Sequence, residues 1–288
     1  MQDKIEFKKS REFGDIIGDT FLFIKQNLKP FLKVYLYLCG FFILGEMLSG
    51  AVHLINTKSL FSGGNPANPF EVLFSVSYLM TMIFSLGAYT AITVTTLCYI
   101  SLYIEKGNVA PTVEEVWSYF KYFFLRLFGS SILVSVMMVI CFACCIIPGI
   151  YTFPAFSLFY SVMVFENGSF GYSFNRSFKL ANSQWWPTAA AILIIWLITI
   201  AILAIPSLPA FFVGMASAFT KTPADINTAY LIISTMIQYL CQIFLVIPVI
   251  GVSFCYFNLA ERMENGGLLN RIDQLGTQKD RFSAPEEY

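Results

Sequence analysis

The chain has 288 residues, 57% hydrophobic and 12% charged, with a mean hydropathy of +0.66. Soluble domains carry about 25% charged residues, so a soluble globule is excluded and a bilayer is the expected solvent. Basic and acidic residues balance at eighteen each, which removes any general case for nucleic-acid binding.

The first ten residues are mostly polar or charged (Lys4, Glu6, Lys8, Lys9). No secretory signal is read there, and the first span is expected to serve as its own insertion signal. An amphipathic helix follows, with Phe13, Ile16, Ile17, Phe21, Ile24, Leu28 and Phe31 at helical spacing. Glu12, Asp15, Asp19, Gln26 and Lys29 take its other side. Span one is expected over 31–55 and span two over 72–104, joined by a loop marked by Gly63, Gly64, Pro66 and Pro69.

A second amphipathic helix carries Val113, Val116, Trp117, Phe120, Phe123, Phe124 and Leu127. Thr112 and Glu115 have capping-box spacing at its start. Spans three and four are expected over 129–147 and 150–165, with Pro148-Gly149 as a tight turn between them. A third amphipathic helix aligns Phe170, Phe174, Phe178, Ala181 and Trp185 opposite Asn175, Arg176, Lys179 and Asn182. Spans five and six are expected over 187–205 and 227–257, with Pro248 as a kink. Such amphipathic helices are expected to lie in the bilayer interface, aromatic side down; the alternative is packing on protein.

The expected fold is therefore all-α: a polytopic membrane protein of six transmembrane helices. Three Glu-X-Gly marks, at Glu105, Glu166 and Glu264, close spans two, four and six. They divide the chain into repeated units at 10–107, 111–168 and 169–266, each an interfacial amphipathic helix plus a helical hairpin. Each glycine is expected to end the return helix. Residues 267–288 form a polar tail. Sixteen of the eighteen Lys and Arg residues fall on the side of the termini and connectors, leaving Lys58 and Lys221 opposite. The positive-inside bias puts both termini in the cytoplasm, in a multi-pass cytoplasmic (inner) membrane protein.

Within the spans, Glu46, Thr81, Ser85, Gln238 and Gln242 fall at neighbouring depths and form a candidate polar cluster. It reads either as a substrate or proton site or as interhelical glue. His53, the sole histidine, lies seven residues beyond Glu46 on the same face and reads as an interface anchor. Trp117, Phe120, Trp185 and Trp186 are the other expected anchors. Cys141, Cys144 and Cys145 would share a helix face within hydrocarbon, where packing is a better account than metal or redox chemistry. No phosphate loop, zinc-protease motif or nucleophile elbow is present.

Residues 146–188, with Pro148-Gly149, Glu166, Arg176-Ser177 and Trp185-Trp186, resemble the membrane domain found beside bacterial glycerophosphodiester phosphodiesterases. The opening helix at 13–32 resembles that family's first interfacial helix. The resemblance implies the membrane fold. The phosphodiesterase domain is absent from this sequence, so no hydrolase activity is implied. The expectation is a non-enzymatic scaffold or accessory subunit, without cofactor or metal, whose partners are membrane lipids and a membrane protein. The alternative is a transporter or flippase for a lipid-like or small amphiphilic molecule, with Glu46 as its coupling residue.

Overall fold

The computed structural model describes residues 5–62, 74–144, 146–209, 211, 212, 215, 219 and 228–264. The Gly63–Pro69 loop marks, Lys221, Cys145, the last two residues of the third Glu-X-Gly mark and the 267–288 tail lie outside them. Helices α1 (Phe13–Ser62), α2 (Val76–Glu105), α3 (Val113–Cys144), α4 (Ile146–Phe165), α5 (Phe170–Ser183) and α6 (Trp185–Ala204) come first. After them come α7 (Thr228–Leu240), a 3-10 stretch (Cys241–Leu245) and α8 (Val246–Glu264). Among the described residues, six helical stretches are long and apolar enough to cross a membrane, as expected.

The first two amphipathic segments are not separate helices. Each runs without a break into its span, giving α1 fifty residues and α3 thirty-two. Pro30 is accommodated inside α1. At about 1.5 Å per residue, α1 is about 75 Å long, well over a bilayer's thickness. Only the third segment, α5, is set off from its span, by Gln184 with φ −147° and ψ 63°.

The apolar stripes also face differently from the expected interface arrangement. On α1 the buried line is Ile16, Thr20, Phe23, Asn27 and Phe31, while Phe21 and Leu28 point outward. Two polar residues sit on the buried line because their own helix satisfies them. Thr20 donates to the Ile16 carbonyl at 2.7 Å, and the Asn27 amide donates to that of Phe23 at 3.2 Å. Tyr99 of α2 donates to Asn27 at 3.3 Å. On α3, Val116, Phe120, Phe123 and Leu127 are all buried. Phe120, expected as an interfacial anchor, is only 5% exposed and packs against protein. Hydrophobic periodicity identifies a buried face but does not say whether lipid or protein buries it.

Helices α1 and α2 pair antiparallel, through Cys39–Thr95 (3.5 Å) and His53–Ser77 (3.3 Å). Small residues let them close: Gly45 lies against the Phe84 ring, and a Cβ on Gly87 would stand 2.8 Å from Phe42. Buried threonines on α2 satisfy themselves, with Thr90, Thr93 and Thr96 donating to Leu86, Tyr89 and Ile92. Thr90 also meets Ser131 of α3 at 3.3 Å. Helices α3 and α4 form a hairpin, with Ser130 beside Met163 at one end and Gly149 against Phe142 at the other. Pro148 and Gly149, expected as the turn, belong instead to the first turn of α4. A first-turn proline lacks an N–H that has no intrahelical partner anyway.

Helix α5 runs back along α4. Phe170 meets Phe159 (5.2 Å), Phe178 meets Phe156 (5.8 Å), and Tyr151 donates to Asn182 at 2.8 Å. Ser173, Ser177 and Ala181 are buried on α5, small enough to admit the α4 rings. This pairing brings Trp185 onto Tyr151, stacked at 5.7 Å, with the indole N–H donating to the Tyr151 carbonyl at 3.0 Å. Tyr151 and Phe165 are about 20 Å apart along α4. Trp185 therefore lies at the Tyr151 end of α4, away from Phe165, while Gln184 next to it reaches Arg262 at the end of α8. Trp186 is 78% exposed and Trp117 40%.

Pro248 sits in the first turn of α8, just after the 3-10 stretch. It cannot donate to the Phe244 carbonyl, and its ring crowds that carbonyl. The expected kink is thus a helix of three pieces.

Candidate functional sites

The intramembrane cluster assembles in part. Glu46 is only 2% exposed. Gln242 donates to its carboxyl at 2.9 Å, and Ser85 of α2 lies near the same side chain. Three segments distant in sequence thus converge on one carboxyl. Gln238 does not join them and is exposed. In a uniform α-helix it would share a face with Gln242. The 3-10 stretch starting at Cys241 turns about 120° per residue against about 100° in an α-helix, which swings the two apart. Thr81 donates to the Ser77 carbonyl at 2.9 Å, within its own helix. Tyr239 comes close instead, its ring 2.7 Å from where a Gly50 Cβ would stand, one turn beyond Glu46. The signal for Tyr239 was a glycine four residues past Glu46, which opens a slot for a ring. Tyr35 is buried lower on α1, and its hydroxyl has no partner among the described residues. Cys141 is half-buried and Cys144 exposed on the outside of α3.

The first two Glu-X-Gly marks are joints as well as stops. After α2, Gly107 takes φ 67°, and Asn108 donates to the Tyr103 carbonyl at 2.9 Å in a glycine-type helix end. After α4 the left-handed residue is Asn167 (φ 48°) and not Gly168, which was expected. Gly168 is needed for closeness, because Tyr172 occupies the space a Cβ would fill. Glu166 accepts from Tyr172 (2.5 Å), Arg176 (3.2 Å) and Tyr256 of α8 (2.9 Å). Glu105 likewise accepts from Tyr119 at 3.2 Å. Arg126 binds the Asn167 side chain at 2.9 Å and the Gly168 carbonyl. The expected capping box is present: Thr112 N–H donates to Glu115 at 2.7 Å, and Lys106 pairs with Glu115 at 2.7 Å.

A further assembly gave no sequence signal. Residues 5–11 form a strap across the end of the bundle. Phe7 is 1% exposed, stacked on Phe254 at 4.4 Å and edge-on to Phe23 and Tyr103. Arg11, 4% exposed, lies over the Phe254 ring and donates to Asp19 (2.7 Å), to the Phe7 and Lys9 carbonyls and to that of Glu6. Its N–H donates to Asn258 at 2.8 Å, and its carbonyl accepts from Arg262 at 2.9 Å. Arg262 reaches Gln184 at 3.1 Å. The strap, the end of α8 and the α5–α6 joint therefore meet at one place. A cavity of about 240 Å³ opens there.

No family model, curated protein or solved structure matches this chain. The groups that look like a site are known by their geometry alone.

Proposed function

We propose that the protein is a non-enzymatic scaffold or accessory subunit of the cytoplasmic membrane, with both termini cytoplasmic, that engages lipids through the outer faces of its amphipathic segments. The observation carrying this reading is the state of Glu46. A carboxyl meant to exchange protons or bind cargo needs a route to water or solute. Glu46 is buried, and the bond from Gln242, with Ser85 nearby, ties α1 to the 3-10 stretch beside α2. That is the behaviour of interhelical glue. Outward-facing Phe13, Phe21, Leu28, Trp117 and Trp186 supply the lipid-facing surface. The threefold organisation belongs to the same proposal, supported by the tyrosine bonds that Glu105 and Glu166 each accept from the next helix. The resemblance to the phosphodiesterase-associated membrane domain agrees with a role beside other proteins.

The second reading, a transporter, is favoured by the Tyr35 hydroxyl, which has no partner among the described residues and would suit a water between α1 and its neighbours. Glu46→Gln separates the two. The scaffold reading expects co-purifying lipids and proteins to be unchanged. A pH-dependent flux in proteoliposomes that the variant abolishes would overturn it.

A further inference from the structure

We infer that the cavity under the N-terminal strap holds the phosphate of an anionic phospholipid headgroup. The inference rests on the lipid-engaging reading above and names the lipid class and the place.

The cavity measures about 240 Å³; its polar lining is Arg11, Glu12, Gln184, Thr188, Asn258 and Arg262, and the rest of its lining is apolar. Arg11 and Asn258 are 4% and 7% exposed, so the wall is built and not a surface dip. Polar and apolar groups share the wall, as a headgroup with the start of its acyl chains would require. Basic pockets between membrane helices on the cytoplasmic side suit phospholipid headgroups.

The two arginines have different tasks. Arg11 spends four of its five guanidinium N–H groups on Asp19 and strap carbonyls. It acts as a positioning residue, because its carbonyl fixes one edge of the Arg262 guanidinium. Arg262 gives one bond each to Asn258, Gln184 and Arg11, which leaves guanidinium donors over. Its side chain is exposed at the mouth. All three guanidinium nitrogens are thus held by protein, and one N–H each on Nη1 and Nη2 is left for a phosphate oxygen.

Helices α1 and α6 both begin at the rim, at Phe13 and Trp185. Their first-turn N–H groups and positive ends add to the attraction for an anion. Glu12 stands at the exposed rim, where solvent screens it. Exposed Trp186 is next to the mouth, and tryptophan favours the headgroup level.

The test is native mass spectrometry of the full-length protein purified gently from membranes containing phosphatidylglycerol and phosphatidylethanolamine. Wild type is expected to retain a tightly held phosphatidylglycerol, and Arg262→Gln to retain it about tenfold less, the loss expected for a charged hydrogen bond. Arg262→Lys should fall between them. Should Arg262→Gln fail to fold, Gln184→Glu supplies the second arm, since its carboxylate occupies Arg262 and repels the headgroup. Equal retention by wild type and both variants overturns the site. So does thermal stabilisation of wild type by inorganic phosphate with no lipid retained, which would assign the cavity to a soluble phosphate. Failure of the scaffold reading would show separately, as Glu46-dependent flux with lipid retention intact.

Discussion

Gln242 donates to Glu46 at 2.9 Å across 196 residues of chain. A buried carboxyl that loses a partner suffers more than one that never had it, since the desolvation cost remains. Gln242→Leu should therefore lower stability by about 1–3 kcal/mol. Glu46→Leu combined with Gln242→Leu should lose less than the sum of the singles. Thermal unfolding in mild detergent, read as a double-mutant cycle, checks both. Additive losses would mean that the bond is incidental.

Phe7 is the anchor of the strap. Phe7→Ala removes a ring stacked between α1, α2 and α8 and should destabilise the fold by about 3 kcal/mol. Proteolysis near residues 5–11 should speed up in step. An unchanged cleavage rate would show the strap to be loosely held.

Trp185 and Tyr151 should cross-link. In a cysteine-free background, Tyr151→Cys with Trp185→Cys is expected to form a disulfide on mild oxidation. Phe165→Cys with Trp185→Cys is expected to form none. The reverse pattern would put the start of α6 beside the Phe165 end of α4.

Glu166 joins α4, α5 and α8, so Glu166→Ala removes one bond each from Tyr172, Tyr256 and Arg176. A loss of about 2 kcal/mol is expected. Arg176→Gln should cost less, about 0.5–1 kcal/mol, since its ion pair is partly exposed and screened. Chemical or thermal unfolding of the two variants side by side tests the ranking.

Gly87→Val tests helix closeness. A Cβ there already meets Phe42 at 2.8 Å. The larger side chain should cost about 1–3 kcal/mol by overpacking, measurable as a fall in Tm.

Glu46, Ser85 and Gln242 were legible in sequence because depth can be counted along apolar spans and a charge stands out within them. Gln238 misled because the count assumed one helical period through Cys241–Leu245. The Thr112–Glu115 cap was legible because its bonds are local. The Arg11–Arg262 assembly was not, since its members lie 251 residues apart and carry no motif.

Composition and apolar run length by themselves determined the helical, six-span membrane class. The reason is that backbone polar groups in hydrocarbon must be satisfied within each segment. Which face of each amphipathic segment meets protein, where α5 lies along α4, and which polar side chains meet were decided only by tertiary structure. A stripe's period records that it is buried, and the burying partner is another helix chosen by shape. Small residues such as Gly87, Ser173 and Ser177 set that shape.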